Sequence, residues 1–282
     1  MTEYSPSSAA KWFLMGLICL IGGCISTRST IAVRPLNTPL LLYPPREMSI
    51  LEIHVAEFPS QTFRIWLPEM VTARGGRTLY NQAHVGPHHW QIDRSGTRFR
   101  CQSFETPILA VTSRLETVKG RARLTYTVTN RSDTTLHNVS LGTCYQLAHA
   151  HNFRDQKGYR TYAWVGDRLA NIAREGKPAE GHNHHDPQKT SFMTMPTTHD
   201  GIGIMAIEAQ GGGCTAIAWQ TYGDYAGNTD PFLNCIHTDP VVWELAPGQQ
   251  VVIHGLIGWS KGPVEKLCTS LREELLAVTH ER

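Results

Sequence analysis

The chain has little net charge: 26 lysines and arginines stand against 24 aspartates and glutamates, a formal balance of +2 over 282 residues. A balance that close gives no electrostatic footprint for a nucleic-acid partner. Familiar catalytic signatures are missing too. No His-Glu-x-x-His stretch would place two imidazoles on one helical face. Gly201-Ile202-Gly203 lacks the third glycine and the following helix of a dinucleotide site, and there is no phosphate-binding loop. Ser260, in Gly258-Trp259-Ser260-Lys261-Gly262, is not in the strand-turn-helix order of a nucleophile elbow. Nor does any apolar run reach the roughly 20 residues of a spanning helix.

What is present begins at the N-terminus. Lys11 is followed by the uncharged run Trp12 to Ile21 and then by Gly22, Gly23 and Cys24. That layout, a basic residue before a short apolar core and small residues at the end, is that of a signal peptide. Ile21-Gly22-Gly23-Cys24 resembles the lipobox of bacterial lipoprotein precursors, which implies acylation of Cys24 and a mature chain starting there. The expected partition is a signal peptide over 1–23, a lipid-anchored, proline-containing tether over 24–45 and one sandwich domain over 46–282. Removal of the leader takes away Lys11 and Glu3 and leaves the net charge unchanged. Of seven cysteines, Cys19 falls in the leader and Cys24 at the lipid site. Cys101, Cys144, Cys214, Cys235 and Cys268 remain in apolar settings that suit buried free thiols, and no bridge is assigned.

Short strands separated by turn signals account for most of the mature chain. Phe63, Ile65 and Leu67 alternate with Thr62, Arg64 and Trp66, and Pro68 ends that run. Reversals are expected at Arg94-Ser95-Gly96, at Lys119-Gly120, at Gly211-Gly212-Gly213 and at Ala246-Pro247-Gly248-Gln249. The C-terminus differs: Val264, Leu267, Cys268, Leu271, Leu275 and Val278 recur at spacings of three and four after Pro263. The expected fold is therefore all-β, a large antiparallel β-sandwich with one C-terminal amphipathic helix.

One strand carries the functional signal. Val139, Leu141, Thr143, Tyr145 and Leu147 share a face by alternation, and continuing that face brings His149 and His151 to the end of an apolar surface. The stretch from Tyr126 to Phe153 resembles the galactose-mutarotase-like supersandwich family, in which a strand ending in Thr-Asn leads to a strand carrying an active-site histidine before an aromatic residue. Here those positions are Thr129-Asn130 and His149 or His151 before Phe153. A second match is Cys235-Ile236-His237-Thr238-Asp239-Pro240, followed by Leu245-Ala246-Pro247-Gly248. His237 stands where the family has its catalytic glutamate, with Asp239 two residues on. The resemblance implies a supersandwich fold and a site built from His149, His151, His237 and Asp239, while the missing carboxylate keeps the epimerase mechanism from carrying over.

Further histidines gather at His84, His88 and His89, at His182, His184, His185 and Asp186, and at His199-Asp200. Imidazole and carboxylate suit Zn²⁺, but these groups read as polar loops, and neither metal nor cofactor is expected. Trp164, Trp219, Tyr222 and Trp243 are the rings available to stack on a sugar. The expected function is an exported envelope protein, at the periplasmic or cell-surface side of a membrane, that binds carbohydrate in a cleft. An epimerase-like enzyme using His and Asp acid–base chemistry and a purely structural envelope component are the alternatives. A cell fed labelled palmitate should incorporate it into the wild-type protein and not into Cys24→Ala, read on a gel after immunoprecipitation.

Overall fold

The computed structural model describes residues 31–40, 46–81, 90–93, 97–118, 120–178, 192–195, 201–228 and 234–280. In chain order the strands are β1 (Ile31–Leu40), β2 (Arg46–Val55), β3 (Phe63–Ala73), β4 (Arg77–Asn81), β5 (Gln91–Ile92), β6 (Arg98–Glu105), β7 (Leu109–Val118), β8 (Arg121–Asn130) and β9 (Leu136–Gln146). Then come β10 (Thr161–Val165), β11 (Arg168–Asn171), the one-turn helix α1 (Ile172–Glu175), β12 (Lys177–Pro178), β13 (Phe192–Met195), β14 (Gly203–Glu208) and β15 (Cys214–Trp219). The chain closes with β16 (Asp224–Asn228), β17 (Cys235–Asp239), β18 (Val241–Leu245), β19 (Gln250–Ser260) and α2 (Val264–His280).

Two antiparallel sheets form. Ten strands make the first, in the order β1-β2-β3-β9-β17-β16-β13-β12, with β18 also on β9 and β4 on β3. Nine make the second, β11-β10-β14-β15-β19-β8-β7-β6-β5. This is the expected sandwich, and its cause is strand alternation: Phe63, Ile65 and Leu67 of β3 and Val139, Leu141 and Tyr145 of β9 face Leu124, Tyr126 and Val128 of β8 and Ile217 and Trp219 of β15 in one core. Two hydrogen bonds cross that core in opposite directions. Tyr126 of the second sheet reaches Thr143 of the first (2.9 Å), and Tyr145 of the first reaches Thr215 of the second (2.8 Å). Each threonine donates its own proton to a carbonyl, Thr143 to Leu141 and Thr215 to Gly258, so each tyrosine is the donor.

The outer face of the second sheet is closed by α2. Val264, Leu267, Cys268, Leu271 and Leu275 pack on Ile204, Ala206, Cys214, Ala216, Ala218 and Leu256. Small residues let the helix approach, and at Gly258 an added Cβ would lie 2.9 Å from Leu267 and 3.1 Å from Leu271. No helix among the described residues is long and apolar enough to cross a membrane.

Two expectations change. Ile31–Leu40 is not tether: it pairs with β2 along its whole length, Ile31 opposite Val55 and Leu40 opposite Arg46, so these residues belong to the sandwich. The Ala246-Pro247-Gly248-Gln249 turn closes no hairpin within one sheet. Strand β18 pairs with β9 in the first sheet and β19 with β15 and β8 in the second, so the turn carries the chain between layers. Asn130 holds that corner, donating from its amide to Leu245 O and Thr134 O (both 2.8 Å) and accepting from Ser132. The three glycines at 211–213 all have positive φ, as their turn requires.

Tyr145→Phe should lower stability by about 1 kcal/mol, because Thr215 keeps its bond to Gly258. Thr215→Val should cost more, roughly 1–3 kcal/mol, because it strands a buried hydroxyl. Both are read as urea midpoints at constant m.

Candidate functional site

The outer face of the ten-stranded sheet carries the polar side chains that alternation excludes from the core. Across β3, β9 and β17, Arg64, Gln146 and Cys235 oppose one another, and in the next row Trp66 opposes Cys144. Two networks occupy this face.

The first is ionic. Glu52 of β2 is buried and accepts from Arg64 through Nε (3.1 Å) and Nη2 (2.8 Å), while Arg34 of β1 pairs with its other oxygen (2.6 Å). Burial alone would raise the Glu52 carboxyl, yet the hydrogen bonds and charges of Arg64 and Arg34 outweigh it and hold the group below its ordinary value. The remaining Arg64 nitrogen, Nη1, donates to Nε2 of His149 at 2.6 Å. Arginine has no acceptor, so the His149 proton sits on Nδ1 and the ring is neutral. Desolvation first, and then the Arg64 charge, lower its pKa.

The second network lies around β17. Cys235, His237 and Asp239 alternate and so share one face. Cys235 Sγ stands 3.2 Å from His237 Nε2, and His237 Nδ1 stands 3.6 Å from Asp239 Oδ1. The same Asp239 oxygen accepts from the Thr143 backbone N–H at 2.8 Å. From β9, Cys144 brings its sulfur to within 4.8 Å of both the Cys235 sulfur and the His237 ring nitrogen. Glu69 joins from β3, where three residues between Trp66 and Met70 (Leu67, Pro68 and Glu69) lie against the single Thr143 between Cys144 and Gly142. That irregularity brings its carboxyl near the Cys144 thiol. The cluster is recessed, with the His237 side chain 11% and Asp239 24% exposed.

Charges in this recess are strongly coupled. Burial pushes Glu69 up to about 7, with His237 opposing and Cys235 and Asp239 adding to the rise. The hydrogen bond from Cys144 lowers the Cys235 thiol to about 6 against the cost of burial, with His237 helping. His237 is driven upward despite burial by the Cys235 and Asp239 charges, and Cys144 is driven upward by burial.

Of the four side chains expected to share a hollow, His237 and Asp239 are adjacent. His149 lies on the same sheet face but belongs to the Arg64 network, and His151 is exposed at the start of a 3₁₀ turn, His151–Phe153, whose Phe153 is buried. The inward alternation of β9 runs on to the buried Leu147, one residue past the strand, and the chain then turns, so the apolar face is not carried on to His149 and His151. Two of the four expected stacking rings are lost to the core. Trp219 is fully buried against Tyr126, with centroids 5.0 Å apart, and Tyr222 is buried against Tyr225 at 4.6 Å. Trp164 packs beside the helix-covered cluster on the other sheet and donates to Gly166 O at 3.0 Å. Trp243, on β18 beside β9, is 42% exposed. Cys24, the leader, and His84, His88, His89, His182, His184, His185, Asp186, His199 and Asp200 lie outside the described residues. Sequence reading missed Glu69, whose position depends on an irregularity, and Cys144, whose even number on β9 was the available signal.

No family model and no curated protein matches the chain. Its structural neighbours are galactose mutarotase-like and aldose 1-epimerase structures at low identity. A galactose mutarotase related enzyme from Lactobacillus acidophilus is 9% identical, over 81% of this chain and 97% of that one, with a TM-score of 0.43. A putative aldose 1-epimerase from Klebsiella pneumoniae is 11% identical over 81% and 83%, with a TM-score of 0.44. Galactose 1-epimerase from Lactobacillus acidophilus is 9% identical over 83% and 100%, with a TM-score of 0.39.

The ionic network sets a pH dependence. Both His149 and Glu52 have folded pKa values below their ordinary 6.5 and 4.5, so the unfolded chain takes up their protons first. Stability should be full above pH 6.5, fall as pH drops through the folded pKa of His149, and fall again below 4.5 through that of Glu52. Urea unfolding along a pH series should show the first decline flattened in His149→Ala and the second in Glu52→Gln.

Proposed function

We propose that the protein is exported, anchored through a lipid on Cys24, and binds carbohydrate on the outer face of its ten-stranded sheet. The observation that carries the binding part is the Glu52–Arg64–His149 chain of hydrogen bonds, which fixes a neutral imidazole on an exposed stretch of that face with its Nδ1–H available as a donor. Neutral polyhydroxylated ligands are recognised by planar, pre-oriented hydrogen-bonding groups and by exposed rings, and Trp243 is an exposed ring on β18, toward the end of β9 opposite His149, so that an extended oligosaccharide rather than a single sugar would reach both. Gln146, Asp239 and His237 extend the polar surface from the same sheet. The sequence windows around His149 and His237 resemble a sugar-handling family, which agrees with this reading. Export and anchoring rest on the N-terminal pattern of Lys11, the apolar run and Ile21-Gly22-Gly23-Cys24. The epimerase-like alternative is less favoured, because His149 spends its Nε2 lone pair on Arg64 while His237 is engaged by Cys235 and Asp239.

His149→Ala and Trp243→Ala change exposed side chains and should leave the urea midpoint within about 0.5 kcal/mol of wild type. Each should weaken retention on the oligosaccharides that a glycan array identifies, by roughly tenfold for one lost hydrogen bond or stacking contact. An array on which the folded wild-type protein retains nothing would remove the carbohydrate reading.

A further inference from the structure

The recess around β17 brings two thiols, an imidazole and a carboxyl together from three adjacent strands, and carbohydrate binding uses none of the sulfur. Cys144 Sγ, Cys235 Sγ and a His237 ring nitrogen lie within 4.8 Å of one another, with the Glu69 carboxyl near the Cys144 thiol. We propose that Cys144, Cys235 and His237 form a three-donor site for a Zn²⁺-type divalent cation.

Four features support it. Zinc held by sulfur at about 2.3 Å and by nitrogen at about 2.0–2.1 Å spaces its tetrahedral donors roughly 3.5–3.8 Å apart. Cys235 Sγ and His237 Nε2 are 3.2 Å apart and Cys144 Sγ lies within 4.8 Å of both, so shifts of roughly an ångström would seat an ion. The donor set of two sulfurs and one nitrogen suits a borderline-soft ion and is poorly matched to Ca²⁺ or Mg²⁺, which take oxygen. Behind the imidazole stands its support: Nε2 faces the sulfurs, and Nδ1 faces Asp239, itself fixed by the Thr143 backbone N–H. A carboxylate behind a histidine is the usual way a metal-ligating ring is oriented. Finally, no lysine or arginine among the described residues pairs with Glu69 or Asp239, so His237 is the only described basic partner in a cluster of acidic groups.

Three protein donors would tie β9 to β17 through the ion and leave its fourth position to water or to the nearby Glu69 carboxyl. His237 and Asp239 border both this site and the proposed carbohydrate surface, but the inference does not rest on sugar binding and its test contains no sugar. Full-length protein, reduced and freed of metal with a chelator, is titrated with Co²⁺ and then with Zn²⁺. The expected result is a thiolate-to-cobalt charge-transfer band that saturates at one equivalent, disappears when Zn²⁺ is added, and is accompanied by a higher thermal midpoint in the Zn²⁺-loaded protein. Cys144→Ser and Cys235→Ser should lose the band. Asp239→Asn, which spares all three donors, should weaken Zn²⁺ binding by about 10–100-fold. Absence of the band in reduced wild-type protein would overturn the proposal. So would a band that survives in the Cys144→Ser/Cys235→Ser double variant, or uptake without thiolate absorption, which would place the ion on histidines elsewhere.

Discussion

The inward alternation of β9 is the constraint on which both the core and the candidate site depend. Tyr145 of β9 is hydrogen-bonded across the core to Thr215, and Thr143 of β9 receives Tyr126 from the opposite sheet. A slip of one residue would break both bonds and drive Gln146 into an apolar interior. With the odd positions pinned inward, Gly142, Cys144 and Gln146 have only the outer face left. The strand also has β3 on one side and β17 and β18 on the other, so what it fixes outward meets side chains from every neighbour that contributes to the two networks.

Much of the fold was legible because periodicity and turn chemistry are local. Phe63, Ile65 and Leu67 could be assigned to the core from alternation alone, and the helix from Val264 onward from spacings of three and four. Residues 31–40 were misjudged because Pro35 and Pro39 read as breaks, whereas proline is tolerated on an edge strand, where one side of the backbone needs no donor. The 246–249 turn carried the correct turn residues and still misled, since turn chemistry specifies a reversal and says nothing about which sheet receives the next strand.

The site was legible in part. His237 and Asp239 share a face because they are two apart on a strand, and that holds without tertiary information. Glu69 could not be found that way, because the extra residues between Trp66 and Met70 break the alternation that would have placed it. The thiols were read singly as buried apolar residues, which each of them is, while their convergence depends on β9 and β17 being neighbours. The two windows that resembled a known family also divide in the structure. His237 lies at the site, whereas Asn130 and the Leu245 to Gln249 turn meet as a structural corner, with Asn130 donating to Leu245 O.

The position of β1 bears on geometry outside the sandwich. It begins at Ile31, and only residues 25–30 separate it from Cys24. The seven Cα-to-Cα steps from Cys24 to Ile31 span at most about 25 Å whatever path they take. An acyl chain on Cys24, as proposed, would therefore hold the β1 edge of the ten-stranded sheet within about 25 Å of the bilayer surface, restricting the domain to a shallow zone above the membrane.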